Sequence, residues 1–342
     1  YIGIPFDLSK VFFIATANTG DISPALLDRM HVIQLPGYSP DEKVVIAKKF
    51  LVPKRRKEAG LPDEFGASIG TPTPLDFSDK VLYAIVDKYT RESGVRGFEE
   101  EIGKIFRAMA LRAVNGGAFP WPLTVENIGD YLGTPKSHEK ITDIGSLRPG
   151  IAPYLSVSQT GGSVGLVEVS ISPKVNDKGK DVVITGNLNK VIEESVTVAI
   201  DRAKTLFPNA FSDKSVHVHV NDGATPKDGP SAGIPIFLAI CSEIIKVPLK
   251  PMIAATGEIF LKRNVVGAVG GIREKLLAAM REGVREIGIP LANIQDLEDL
   301  PAEQRKQIIV MSEPGARARR RMGGPLLAVY PLENPHQALW LA

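Results

Sequence analysis

At 342 residues the chain exceeds what one ordinary core fills, so two or more domains are expected. A hydrophobic share of 44% against 23% charged residues is that of a soluble globular protein, and no apolar run is long enough to cross a bilayer, which excludes a helical membrane protein. The 41 basic and 39 acidic residues leave a net charge of +2, too even for a chain whose main task is gripping nucleic acid.

The first element in chain order is VFFIATAN, residues 11–18, a short continuously apolar run that predicts a buried strand. A turn follows, then the helical pattern PALLDRM with Pro24 suited to its first turn, then HVIQL as a second strand. Residues 1–36 therefore read as the tail of a larger α/β unit. The chain opens at Tyr1 inside structured-looking sequence, with neither an initiator Met nor a signal-peptide pattern, and so reads as a piece of a longer protein.

Ser39-Pro40-Asp41-Glu42 has the form of a capping box, and the helix it opens is expected to run to about Arg56. A Pro/Gly/Ser/Thr-rich loop over 60–74 separates it from two further helical patterns, 78–92 and 95–114, each closed by glycine. Residues 37–135 thus form a small helical subdomain, and the polar, Gly/Pro-punctuated stretch 136–152 a linker.

From 153 to 342 the pattern turns to alternation and predicts a mixed α/β domain. SVGLVEVSIS, DVVITG, SVHVHV and REIGIP read as strands. NKVIEESVTVAIDRAKTLF reads as an amphipathic helix, SAGIPIFLAICSEII as a buried one, MIAATGEIFL with NVVGAV as a hairpin, and GIREKLLAAMREGV as a helix. The single cysteine, Cys241, sits in the buried helix, forms no internal disulfide and fits a reducing compartment. GARARRRMGG, residues 315–324, reads as a solvated loop, with Arg317, Arg319, Arg320 and Arg321 as an alternative weak site for DNA or an acidic partner.

The most informative string is Pro226-Lys227-Asp228-Gly229-Pro230-Ser231-Ala232-Gly233, between a strand and a helix. A serine at such a helix start has unpaired amides and the positive pole nearby, which suit a developing oxyanion. Taken alone, a Gly/Pro-flanked serine there is more often a plain N-cap. A nucleophilic serine also needs a base, and Gly270-Gly271-Ile272-Arg273-Glu274-Lys275 offers a lysine near the start of a helix beside Leu276 and Leu277. The dipole and desolvation would both favour its neutral amine, although a lone helical lysine is ordinarily a surface residue.

These strings resemble the Lon family of ATP-dependent proteases (endopeptidase La), in its soluble bacterial and mitochondrial branch. PKDGPSAG, preceded by HVHV and GAT and followed by TGEI and GGIREKLLAA, is similar to its proteolytic domain, while FIATAN, LLDRM, GY-x-x-x-EK and ESGVRGFE resemble the end of its AAA+ module and helical lid. The resemblance implies an α/β fold of lid followed by proteolytic domain, and a serine endopeptidase acting on unfolded or damaged proteins. By the same likeness Ser231 is the nucleophile and Lys275 its general base, Thr256 a hydrogen-bond partner of the lysine, Asp228 a residue shaping the loop before the serine, and Glu168 a further polar neighbour. Taken alone, Asp228 is a turn former and Thr256 a strand residue before a glycine.

The resemblance also implies a homohexamer in the cytoplasm or the mitochondrial matrix, with ATP and Mg²⁺ serving the full-length enzyme. Asn18 takes the polar sensor place, Arg29 that of an arginine finger and Arg96 that of the second sensor. The phosphate-cradling string G-x-x-x-x-G-K-[ST] is absent, so this chain is expected to carry no nucleotide cofactor and to hydrolyse no ATP. His217 and His219 share one strand face and are expected to be structural, since a metal site would need further ligands and the remaining histidines lie far off in sequence.

Two departures stand out: the segment between TGEI and the double glycine is one residue longer than is usual for the family, and Asn189 and Lys190 stand where glycine and an acid are expected. A hairpin bulge could absorb the extra residue. Rival readings are a hexameric scaffold lacking protease activity and a chaperone-like binding module with a misaligned dyad.

Overall fold

The computed structural model describes residues 7–17, 22–33, 37–61, 77–90, 92–116, 122–135, 144–158, 161–174, 181–221, 226–311 and 327–341. They fall into two compact units, Tyr1–Pro36 and Gly37–Ala342.

In the first unit, α1 (Pro24–Leu27) is a single helical turn. Residues 11–17, expected as a buried strand, carry no regular structure, and Phe12, Phe13 and Ile14 are exposed. A strand exists through its ladder, and among the described residues this run has no neighbour to pair with. Residues 31–33 of the second expected strand are likewise irregular.

The second unit opens with the capping box formed as expected: Ser39 N donates to Glu42 over 2.7 Å and Glu42 N to the Ser39 hydroxyl over 3.2 Å. The helix continues from α2 (Pro40–Ile46) through a π-helical turn, Ala47–Leu51, into α3 (Val52–Glu58). Pro53 lacks the N–H that an α-helical ladder requires, and the chain widens just before it. α4 (Asp79–Tyr89) is capped by Ser78, α5 (Arg96–Val114) follows, and α6 (Gly129–Leu132) is a single turn. The amides of Gly97 and Phe98 donate to the Glu92 carboxylate over 2.9 and 2.7 Å, which satisfies the orphan donors of that helix start. Phe77, Leu82, Ile85, Phe98, Ile102 and Phe106 form the core of this helical part. Each such fully buried side chain contributes about 1.5–3 kcal/mol.

An eight-stranded sheet in the order β3-β4-β2-β1-β5-β8-β10-β9 organises the remainder. Its strands are β1 (Ile151–Ser158), β2 (Gly161–Pro173), β3 (Val182–Thr185), β4 (Lys214–Val220), β5 (Ile253–Ala255), β8 (Glu286–Pro290), β9 (Ile308–Val310) and β10 (Leu327–Leu332). β1 pairs antiparallel with β2 and β2 with β4, while β5, β8, β9 and β10 run parallel. A separate antiparallel ribbon joins β6 (Glu258–Ile259) to β7 (Val266–Gly267). β1 begins inside the stretch expected as linker.

Two apolar layers sandwich the sheet. Helices α7 (Lys190–Leu206) and α8 (Gly233–Ile245) cover one layer through Ile200, Ile236, Phe237 and Ile240. Helix α9 (Ile272–Arg281) closes the other through Ile272, Leu276 and Ala279 against Leu155, Ile287 and Val329. Among the described residues no helix is long and apolar enough to cross a membrane.

Candidate active site

The site is assembled where β5 ends, where α8 begins and where α9 points inward. β5 is central, so Thr256 just past its end is fully buried and its amide donates to the Gly288 carbonyl of β8 over 3.0 Å. Gly257 then turns the chain at φ +156°; a Cβ there would stand 2.5 Å from a Val266 methyl and 3.0 Å from the Ile234 Cγ1 methylene, so only glycine lets the ribbon fold this close to α8. The Gly257 amide donates to the Ser231 carbonyl over 2.9 Å, and the Ile234 amide donates to the Gly257 carbonyl over 3.1 Å. This double link holds the serine turn against the end of β5.

Ser231 sits in a 3-10 turn, Pro230–Ala232, and α8 proper starts at Gly233 with no side-chain cap. The half-buried Ser231 hydroxyl is thus not employed as a helix cap, the commoner role for such a serine. Before it, Asp228 is exposed and accepts from the Gly229 amide over 2.8 Å, and Gly229 has φ +108°. Lys227 pairs with Leu188 and donates its ammonium to the Gly186 carbonyl over 3.1 Å, fastening the loop to the turn that precedes α7.

Lys275 lies in the second turn of α9, whose preceding residue Gly271 adopts φ +70°. The side chain is only 3% exposed, contrary to the surface position usual for lysine. Burial alone pulls its pKa from 10.5 down to about 8. Its Nζ donates to the Thr256 hydroxyl over 3.1 Å, and that hydroxyl donates to the Ser231 carbonyl over 3.3 Å. A continuous hydrogen-bonded chain therefore joins the amine, the threonine and the backbone of the serine.

The segment expected to be one residue longer than usual contains the β6–β7 ribbon, whose tip is residues 260–265. There the Arg263 guanidinium lies over the Phe260 ring, 5.1 Å from its centroid, a cation–π contact, and Asn264 accepts from Arg202 of α7 over 3.1 Å. The lysine still reaches Thr256.

The other expected residues are placed differently. Glu168 is exposed on β2, in register with His219 and Ile151, and no hydrogen bond among the described residues joins it to Ser231, Thr256 or Lys275. His217 and His219 both lie within hydrogen-bond reach of the Thr185 hydroxyl, at 3.0 and 2.8 Å, and no group of three or more metal-binding side chains occurs among the described residues. Cys241 is buried and its thiol pushed up to about 12, which makes it a packing residue. Arg29 is exposed; Arg96 is 92% exposed, 3.7 Å from Glu100. Asn18 and the arginines at 317, 319, 320 and 321 lie outside the described residues.

One contributor has no signal in the sequence. Asn293 is buried and clamps Val269 with two bonds of 2.9 Å, accepting from its amide and donating to its carbonyl, immediately before the Gly270-Gly271 pair that launches α9.

Comparison with known proteins adds an independent line. Residues 122–314 match the Lon protease (S16) C-terminal proteolytic domain, and residues 70–119 match the Lon protease AAA+ ATPase lid domain. Among similar proteins, Lon protease 2 of Sorangium cellulosum is 41% identical over 315 residues, covering 90% of this chain and 37% of its own length. Lon protease of Rhizobium meliloti is 38% identical over 338 residues, covering 95% and 40%. Lon protease of Dictyoglomus thermophilum is 41% identical over 316 residues, covering 90% and 38%. The chain thus spans about two fifths of the length of these relatives.

Proposed function

The chain belongs to the Lon protease family, and from that premise we propose that it carries the peptide-cleaving centre of an ATP-dependent serine endopeptidase, with Ser231 as nucleophile and Lys275 as general base. The observation that carries this reading is the buried Lys275 amine held to Thr256, whose hydroxyl in turn holds the Ser231 carbonyl.

The chemistry follows from that placement. Near neutral pH and above, a substantial fraction of an amine whose pKa is about 8 is uncharged and can take the Ser231 proton as Oγ attacks the scissile carbonyl carbon. The start of α8 lies just beyond Ser231 and offers its positive pole to the oxyanion. Lys275 then returns the proton to the departing amine, leaving an acyl-serine. Water deacylates it with Lys275 again acting as base. Thr256 orients the amine, and Asp228 shapes the turn that presents the serine.

On this reading the substrates are unfolded or damaged polypeptides, and the full-length enzyme is a homohexamer of the cytoplasm or the mitochondrial matrix. ATP and Mg²⁺ serve that full-length enzyme. The present chain has no phosphate-cradling string, so no step of cleavage is routed through nucleotide. Asn18, Arg29 and Arg96 are proposed as its accessory nucleotide-sensing positions and Glu168 as a peripheral polar residue.

The test is cleavage of casein and of a fluorogenic peptide by the wild type and by Ser231→Ala and Lys275→Ala. Each substitution is expected to lower turnover on the order of 10³-fold or more. Undiminished turnover in either variant refutes the dyad, and no cleavage by any form of the chain or of its longer parent favours the scaffold reading.

A further inference from the structure

Helix α9 is held from two sides by groups only two positions apart. Helical residues advance by about 100° each, so Arg273 and Lys275 project in directions roughly 200° apart. Lys275 reaches inward to Thr256. Arg273 reaches the other way, to the start of the helical part: its Nη1 donates to the Gly37 carbonyl over 3.0 Å and its Nη2 lies 3.5 Å from the Glu42 carboxylate.

The arginine is itself largely enclosed, with its side chain 12% exposed and its Nε buried without a hydrogen-bond partner. A buried guanidinium left unpaired is costly, so its position depends on the acceptors the helical part supplies. Those acceptors are rigid. Glu42 is fixed by the capping box with Ser39, and the Tyr38 amide donates to the Ser93 carbonyl over 2.9 Å. A second tie runs beside it, where Gln304 donates to Asp41, which also accepts from Tyr83.

We infer that Arg273 is a positioning residue that couples the seating of residues 37–42 to the place of the Lys275 amine. When the helical part shifts against α9, the guanidinium must follow Gly37 and Glu42 or lose its acceptors, and the lysine on the same helix moves relative to Thr256 and Ser231. The helical part thereby tunes peptide cleavage without touching substrate. This rests on the reading of Lys275 as the base.

Steady-state kinetics of the 342-residue chain on a fluorogenic peptide tests it, with Lys275→Ala, Arg273→Met, Arg273→Lys and Glu42→Gln, each checked for a cooperative thermal transition. Arg273→Met is expected to lower kcat about tenfold with KM changed less than twofold, as follows from a displaced catalytic group. Arg273→Lys, which retains one donor for the Gly37 carbonyl, recovers most of that loss. Unchanged kcat in Arg273→Met, or a change confined to KM, overturns the inference while Lys275→Ala remains inactive. Full activity in Lys275→Ala instead refutes the assignment of the base. Should Arg273→Met fail to fold, Glu42→Gln decides, because it can keep the cap with Ser39 and removes only the charge: a lowered kcat at constant KM supports the coupling, and wild-type kcat overturns it.

Discussion

The Lys275 amine and the Thr256 hydroxyl are 3.1 Å apart in a fully buried setting, and the threonine spends its own proton on the Ser231 carbonyl. The hydroxyl is therefore an oriented acceptor, aimed at the amine by the serine turn. Thr256→Val keeps the shape and removes that acceptor. It is expected to lower kcat about tenfold and to destabilise the fold by about 1–3 kcal/mol, the cost of a buried donor left unsatisfied. Thr256→Ser should restore both. Peptide kinetics and thermal unfolding measured together decide it, and a Thr256→Val variant with full activity removes the threonine from the site.

Burial of Lys275 predicts that activity and stability both rise with pH, over adjoining windows. As base the amine acts uncharged, so kcat should climb with pH through about 8 and level off above it. For stability, the folded pKa lies below the unfolded 10.5, so between those values the unfolded chain binds the extra proton and stability rises with pH. Below about 8 the lysine costs the fold about 3 kcal/mol, a debt that fades as pH approaches 10.5. Lys275→Met should therefore melt higher than wild type at pH 7, with the gain shrinking toward pH 10, while cleaving nothing. A lower melting temperature for Lys275→Met at pH 7 contradicts this.

Legibility in the sequence followed the range of the interaction. The Ser39 capping box, the alternation of β2 and β4 and the amphipathic α7 are set by residues a few positions apart and are all formed. β1 escaped because it is covered on both faces: residues 152–155 are buried in succession, erasing the period of two, and Pro153 interrupts the run. The exposed stretch 11–17 failed the other way, apolar enough for a strand but without a ladder. Ser231 and Lys275 could be singled out only by the strings around them, since the burial that lowers the pKa of Lys275 depends on Thr256 and the fold of β5. Arg273 and Asn293 left no trace because their partners Gly37 and Val269 lie 236 and 24 positions away.

Ser231 makes no capping bond, so its hydroxyl contributes little to the helix it precedes. Ser231→Ala should keep its melting temperature close to that of wild type, a difference of at most about 0.5 kcal/mol, where loss of a working serine cap typically costs about 1 kcal/mol. Calorimetry on the same preparation that has lost peptide cleavage checks this, and a drop of the size of a lost cap would restore the structural role.

Asn293 offers the last test, because it acts on Lys275 through backbone. Its amide closes two bonds to Val269, and Val269 leads through Gly270 and Gly271 into α9. Asn293→Ala leaves a buried N–H and C=O without partners, a loss of about 2–4 kcal/mol at about 1–3 per unsatisfied group with partial relief by water. The freed turn should let the helix start drift, so kcat falls while KM holds. Asn293→Asp separates the two effects: the carboxylate still accepts from the Val269 amide but meets its carbonyl oxygen with repulsion, so half the clamp survives. Its kcat and melting temperature should fall between those of wild type and Asn293→Ala, and equal kcat in all three proteins would mean that the glycine pair alone fixes the lysine.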